Sequence, residues 1–430
     1  HTSPPQKPIL GHITPSPIWE ALNLMSYVKM MQGDYAASVA YAEEAMTYAQ
    51  HAPQEHLTWY MSQGNLGYAE FLRGNQQKAL AIYEEIVQRM VENNDYSPNG
   101  IGYMLNNKGE ILRSLGKFDE SLALFQEAFD IFEAHNIKRG MAFTLNNIGG
   151  IEVANENIAK AQTYYERGYL LNKEIGDQNG IAHSLSAMGN NQMYIGNVKE
   201  AKTYYEKSLA IRKKIGELRG IADSLIDLGG VYSLTEDYPT ALKHFYEAQA
   251  IYRQIQEPDG LGTSLVSIIS TLFVINQLDD ARQAVDELAD LASTTGTLFV
   301  KIVLSILKIE LAILENRLDD AEANLMKDAQ KPRGMTNTFK LIFAVQYAEI
   351  FALRGNLAQA HEIIVVIRTL SDTTLGFLRM FAPFVLKQMD IVEKLVQRNL
   401  ASETLSVIEK QAKSQTIDTL LEKLFGAMVN

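Results

Sequence analysis

A short polar turn recurs nine times along the 430-residue chain at near-constant spacing, a pattern that no single closed globular core can carry. The turns start at Gly33, Gly74, Gly116, Glu156, Gly196, Glu236, Asn276, Asn316 and Gly355, at intervals of 41, 42, 40, 40, 40, 40, 40 and 39 residues. Five positions into each stands a small residue: Ser38, Ala79, Ser121, Ala161, Ala201, Ala241, Ala281, Ala321 or Ala360. A second comb, Gly140, Gly180, Gly220 and Gly260, has the same forty-residue spacing. Each of these glycines is followed five positions later by Leu145, Leu185, Leu225 or Leu265, and Gly100 with Leu105 extends the series backwards. Gly109, Gly149, Gly189 and Gly229 share the register. Self-similarity of this period marks a repeat architecture, in which each repeat is one supersecondary unit.

The period inside each unit is helical. Ala201, Tyr204, Tyr205, Ser208, Leu209 and Ile211 fall near one helix face, with Lys202, Glu206, Lys207 and Lys213 turned away. Ahead of the turn, Ile181, Leu185, Met188, Gly189 and Gln192 trace a second helix. Each unit therefore reads as a helical hairpin whose apolar face is buried only when neighbouring units stack on it. Glycine inside a helix costs about 1 kcal/mol against alanine. Gly149, Gly189 and Gly229 are accordingly expected to admit the paired helix closely at Ala161, Ala201 and Ala241.

Composition narrows the class further. The chain is 47% hydrophobic and 21% charged, enough apolar content for a large core. A net charge of −12, from 39 basic and 51 acidic residues, lacks the basic footprint of nucleic-acid binding. The absence of cysteine excludes disulfides, thiolate metal sites and cysteine nucleophiles, and fits a reducing cytoplasm, where the chain is expected to reside. No run of eighteen apolar residues appears, so no membrane partner is expected. Five prolines among the first seventeen residues suggest an extended arm, and His1-Thr2-Ser3 reads as a tag scar or processing product. The basic run Lys207, Arg212, Lys213, Lys214 and Arg219 is expected to form a convex, solvated face rather than a phosphate patch.

The runs Leu145-Asn-Asn-Ile-Gly149, Glu156-Asn-Ile-Ala-Lys-Ala161 and Tyr164-Tyr165-Glu166 resemble a tetratricopeptide repeat. The units from Leu185 to Lys207 and from Leu225 to Phe245 match the same pattern. The forty-residue period is similar to that of kinesin light chains, spindle-orientation adaptors and bacterial peptide-sensing regulators. The likeness covers residues 18–371 and is strongest between 100 and 260. It implies an all-α, right-handed superhelical solenoid of nine to ten hairpins: an arm over 1–17, nine hairpins over 18–371, a degenerate hairpin over 372–413 interrupted by Pro383, and a capping helix over 414–430.

Motifs for chemistry are missing. Gly109 and Gly116-Lys117 lack phosphate-loop spacing, and Phe118 stands where the magnesium-binding hydroxyl belongs. Gly100-Ile-Gly102 lacks the third glycine of a dinucleotide fingerprint. The eight histidines show no HExxH pairing; His51 and His56 flank a loop around Pro53. Adjacent acids such as Glu43-Glu44 and Asp319-Asp320 do not face each other on a helix. No catalysis, cofactor or metal is expected.

In the family that the sequence resembles, the first helix of each unit lines a concave groove. Transferred residue by residue, its contact positions fall on Tyr103, Asn106, Glu110, Arg113, Phe143, Asn146, His183, Asn190, Tyr194 and Asp223. Asparagine amides suit a peptide backbone, and aromatics supply rigid apolar contact. His183 reads as an ordinary groove or core residue rather than a switch. Further on, the same positions turn apolar at Val266, Phe273, Val274, Ile306 and Ile313. Either the stack tightens to fill that face itself, or a partner, a second copy of the chain or its own arm covers it. The resemblance implies a protein- or peptide-binding adaptor, with self-association through the apolar half as a further expectation. The alternative is a peptide-responsive regulatory domain of a larger signalling protein.

Overall fold

A computed structural model of the chain describes residues 16–31, 34–49, 55–73, 75–92, 97–295, 298–329, 337–368, 383–412 and 419. The turn residues Gly33 and Gly74, His51, the arm over 1–15 and nearly all of the expected capping helix lie outside the described residues. Among the described residues there are twenty α-helices and no strand.

In chain order the helices come in pairs. The first four pairs are α1 (Ser16–Met31) and α2 (Tyr35–Ala49), α3 (Glu55–Leu72) and α4 (Gln76–Glu92), α5 (Pro98–Ser114) and α6 (Phe118–Ala134), and α7 (Lys138–Ala154) and α8 (Ile158–Glu174). The next three are α9 (Gln178–Tyr194) and α10 (Val198–Ile215), α11 (Leu218–Leu234) and α12 (Tyr238–Gln254), and α13 (Pro258–Val274) and α14 (Leu278–Thr295). Then follow α15 (Leu298–Leu314) and α16 (Leu318–Ala329), α17 (Asn337–Leu353) and α18 (Leu357–Arg368), and finally α19 (Pro383–Asn399) and α20 (Ser402–Ala412). Two compact units arise: residues 1–151 with 170–175, and residues 152–169 with 176–430.

The comb of turns has one backbone cause. Gly116, Glu156, Gly196, Glu236, Asn276, Asn316 and Gly355 all have φ between 59° and 82°, the left-handed region. That geometry lets the next residue donate back to a carbonyl five positions earlier, as Lys117 N does to Leu112 O (2.9 Å) and Asn197 N to Gln192 O (2.9 Å). A second left-handed series, Asn136, Gly176, Gly216 and Gln256, closes the junctions between hairpins at the same forty-residue spacing.

Small residues permit close packing, though against a different neighbour from the one expected. A Cβ placed on Gly189 would lie 2.5 Å from Cε1 of Tyr205, and one on Gly229 2.3 Å from Cε1 of Phe245. The glycines therefore make room for a ring one turn beyond Ala201 and Ala241, and not for the alanines themselves. Ser121 adds a bond of its own, donating to the Gly109 carbonyl at 2.7 Å.

The first unit buries Tyr83, Ile86, Met90, Ile111 and Phe132 in a shared apolar core. In the second unit the largest core runs from Ala241 to Ala412. There α19 departs from the hairpin comb. It packs against α13, α17 and α18 and inserts Met389, Val392 and Val396 into a core shared with Phe273, Ile306 and Ile313. The described part of this helix begins at Pro383, and the residues before it, where the expected degenerate hairpin starts, lie outside the described residues. The apolar face that carries Phe273, Ile306 and Ile313 is thus covered in part by the chain's own α19.

The basic run also divides. Lys207, Lys213, Lys214 and Arg219 are exposed. Arg212 is instead 5% exposed, donating from Nη1 to Gly220 O (2.6 Å) and Ser224 Oγ (3.1 Å) at the start of α11. It left the solvated face because the α10–α11 junction presents it with buried acceptors.

Candidate functional site

Side-chain caps set the starts of α5, α9 and α11. Ser97 Oγ accepts from Gly100 N (3.2 Å), Asp177 from Gly180 N (3.1 Å) and Glu217 from Gly220 N (2.9 Å). Equivalent residues fall at the same helical position in α5, α7, α9 and α11. Tyr103, Phe143, His183 and Asp223 are each the sixth residue of α5, α7, α9 and α11.

In the first unit Tyr103 stands edge-on to Phe132 (centroids 5.2 Å) and tilted against Phe143 (6.1 Å). Phe143 is 41% exposed, large for an aromatic ring already in contact with another. Beyond them, Arg113 Nε donates to Glu110 Oε2 at 2.9 Å within α5. The asparagines behave differently. Asn106 is fully buried; its amide donates to Gly102 O (3.1 Å) and Thr144 Oγ1 (2.9 Å), and its oxygen accepts from Asn147 (3.2 Å). Asn146 is buried as well. The structure brings Tyr103, Phe143, Glu110 and Arg113 to accessible positions and takes both amides into the interior.

In the second unit His183 is solvent-accessible and Asn190, Tyr194 and Asp223 are half-buried. Tyr205 Oη donates to Asn190 Oδ1 and Tyr252 Oη to Asp223 Oδ1, both at 2.6 Å. Burial raises both phenols, so they stay protonated donors. Crowding around the ring of His183, with the nearby Arg212 charge, holds its pKa below the ordinary imidazole value, against the pull of Asp223. The imidazole is therefore neutral at pH 7.

Sequence reasoning missed Asp227, one turn beyond Asp223 on the same helix face. Burial, then the like charge of Asp223, push its carboxyl up to about 7, with Arg212 opposing. Two acids spaced i, i+4 on an inner-face helix were the available signal. The arrangement offers a neutral imidazole, a carboxamide, two phenols and an acidic pair short of positive charge. Among the described residues no group of three or more His, Asp or Glu is placed to hold a metal ion, and no helix is long and apolar enough to cross a membrane.

Helical hairpins of this length, stacked through small residues and closed by left-handed turns, define a helical-repeat protein. Residues 100–174, 140–214 and 180–254 match the tetratricopeptide repeat family, so the stretch from 100 to 254 carries tetratricopeptide repeats. No curated protein matches the sequence. Among solved structures, a Rap protein complexed with competence and sporulation factor is similar at 12% identity and TM-score 0.53, over 88% of this chain and 98% of that one. The quorum sensor NprR from B. thuringiensis, in its apo form, is similar at 13% identity and TM-score 0.45, over 87% and 98%. BtubC (BKLC) from P. vanneervenii reaches 19% identity and TM-score 0.42, over 53% and 92%.

Proposed function

We propose that the chain is a non-catalytic adaptor that binds a peptide or an extended segment of another protein along the inner faces of its hairpins. The observation that carries this reading is the repeat-locked sixth position, where Tyr103, Phe143, His183 and Asp223 stay accessible while their neighbours are buried. Within each unit, aromatic or polar groups one repeat apart on neighbouring helices suit recognition better than catalysis, which needs groups converging on one point. The site comprises Tyr103, Phe143, Glu110 and Arg113 in the first unit, and His183, Asn190, Tyr194, Asp223 and Asp227 in the second. Asn106 and Asn146 act behind it, holding the helices that present it. The acidic pair favours ligands carrying a lysine, an arginine or a free amino terminus near Asp223. A cytoplasmic location accords with this role.

A peptide-responsive regulatory domain is the second reading. The shared fold of a Rap protein solved with competence and sporulation factor supports it. The two readings part on whether a bound peptide changes the hydrogen exchange of hairpins it does not touch. To test the binding site, peptides selected from a random display library on the immobilised chain are titrated against the wild type, Phe143→Ala and Asp223→Asn. The reading expects at least a tenfold loss of affinity in one of the two variants. Unchanged affinity in both would remove the inner face as the binding site.

A further inference from the structure

The inner face of α13, α15 and α17 differs from that of α9 and α11 because a helix already lies on it. Met389, Val392 and Val396 of α19 supply an apolar stripe at i, i+3 and i+7 to the core there. Its Lys387 donates to the last carbonyl of α13, Val274 O, at 2.8 Å. Gln388 Nε2 reaches Glu310 Oε1 of α15 at 2.9 Å, a bond between residues 78 apart in sequence.

The polar centre beneath α19 is poorly matched to it. Glu310 and Glu349 are both the thirteenth residue of their helices, the position held by Glu110 in α5 and Asn190 in α9. Both are buried, at 1% and 6% exposure. Glu310 accepts from Gln346 (3.1 Å) and Gln388, whereas Oε2 of Glu349 and Oε1 of Gln346 have no hydrogen-bond partner among the described residues. Burial raises both carboxyls, and the nearness of Glu310 raises Glu349 further. From α19 the neutral amide of Gln388 reaches Glu310, and it donates neither to Oε2 of Glu349 nor to Oε1 of Gln346. A buried acceptor without a donor is costly, and a cation at the place of Gln388 would bring charge and further N–H donors to this acid-rich centre.

We propose that this face is a helix-receiving groove in which α19 is a replaceable resident. The partner it fits is an amphipathic helix of another protein with an arginine or lysine in place of Gln388 and apolar residues in place of Met389, Val392 and Val396. A guanidinium brings five N–H donors where the glutamine amide brings two, and it remains charged when buried. The groove is built from other residues than the accessible positions of α5, α7, α9 and α11, so it extends the binding reading above without depending on it.

Two labelled peptides test this, residues 383–399 as they stand and the same peptide with Gln388→Arg, each titrated into the full chain by fluorescence anisotropy. The arginine peptide is expected to bind at least tenfold more tightly. That advantage should shrink below twofold in a Glu310→Gln/Glu349→Gln chain, whose side chains keep their size. Placing Gln388→Arg in the chain itself should raise its melting temperature and abolish capture of the arginine peptide. Equal affinity of the two peptides, no binding of either, or an advantage surviving in the double variant overturns the proposal. A mass of two chains for the peptide-free protein, abolished by a charge at Val392, would make a second copy's α19 the occupant and overturn it too. Phe143→Ala and Asp223→Asn are expected to leave the arginine peptide's affinity unchanged, which separates this outcome from failure of the peptide-binding site.

Discussion

Asn147 donates from Nδ2 to Oδ1 of Asn106 at 3.2 Å, tying α7 to α5 through two side-chain amides 41 residues apart. The same tie recurs two repeats earlier, where Asn65 Nδ2 donates to Asn23 Oδ1 at 3.1 Å. With Thr144 also bonded to Asn106, the amide is a strut between stacked hairpins. Asn106→Ala leaves the Asn147 amide without its acceptor and Thr144 Oγ1 with only its bond to Gly140 O, and we expect a loss of roughly 1–3 kcal/mol in urea unfolding. A midpoint and slope equal to the wild type would show that the strut carries no weight.

Two adjacent glycines of α11 predict opposite outcomes. A Cβ on Gly229 would run into the ring of Phe245, whereas one on Gly230 has nothing within 4 Å. Gly230→Ala gains helix propensity without a clash and should stabilise by about 0.5–1 kcal/mol. Gly229→Ala must displace a buried ring and should cost roughly 1–3 kcal/mol. Calorimetry on the two variants decides the register; melting shifts of the same sign in both would refute it.

The comb of turns was legible because each one shares a left-handed residue and a small residue at fixed offset. The second series, at Asn136, Gly176, Gly216 and Gln256, stayed hidden because those four positions share a backbone angle and no residue type. Asn106 was visible as a groove-type residue, but an amide suits a buried strut as well as a wet groove, and only burial separates the two. Arg212 deceived for a similar reason: the sequence shows a basic run, and the junction with α11 buries one member of it. The placement of α19 was illegible altogether. Its contacts with Val274 and Glu310 span 113 and 78 residues, beyond anything a local repeat pattern encodes.

Glu70 illustrates how acid should unfold the first unit. Its side chain is 1% exposed and accepts from Asn75 Nδ2 (2.6 Å) and Lys78 Nζ (2.7 Å). Burial alone would raise its carboxyl, but those hydrogen bonds and the charges of Lys78 and Arg73 hold it below the ordinary glutamate value. A depressed carboxylate contributes stability that is present above its unfolded pKa of about 4.3 and disappears as pH falls through the folded value. Glu70→Gln should therefore be less stable by roughly 1 kcal/mol at pH 7, discounted for the exposed lysine, with the two proteins converging toward pH 3. A constant gap between their unfolding curves across that range would exclude the ionic contribution.

Asp227 should behave with the opposite sign. Its carboxyl is raised to about 7, so the folded state keeps a proton that the unfolded chain releases near pH 4. Stability from this group is full below pH 4 and is lost as pH climbs from about 4 to about 7, because the unfolded chain binds fewer protons across that window. Asp227→Asn removes the loss. It should unfold like the wild type at pH 4 and be more stable at pH 8 by about 1–2 kcal/mol, less than the full shift implies because the side chain is only half-buried. The same ionisation bears on the binding reading. Above pH 7 Asp227 joins Asp223 as a second negative charge on α11, and a cationic peptide seated there would relieve their repulsion. Selected lysine- or arginine-bearing peptides should consequently bind more tightly at pH 8 than at pH 6, and Asp227→Asn should flatten that dependence. Affinity that is level across this range in the wild type would take the acidic pair out of the ligand site and leave it a local strain in α11.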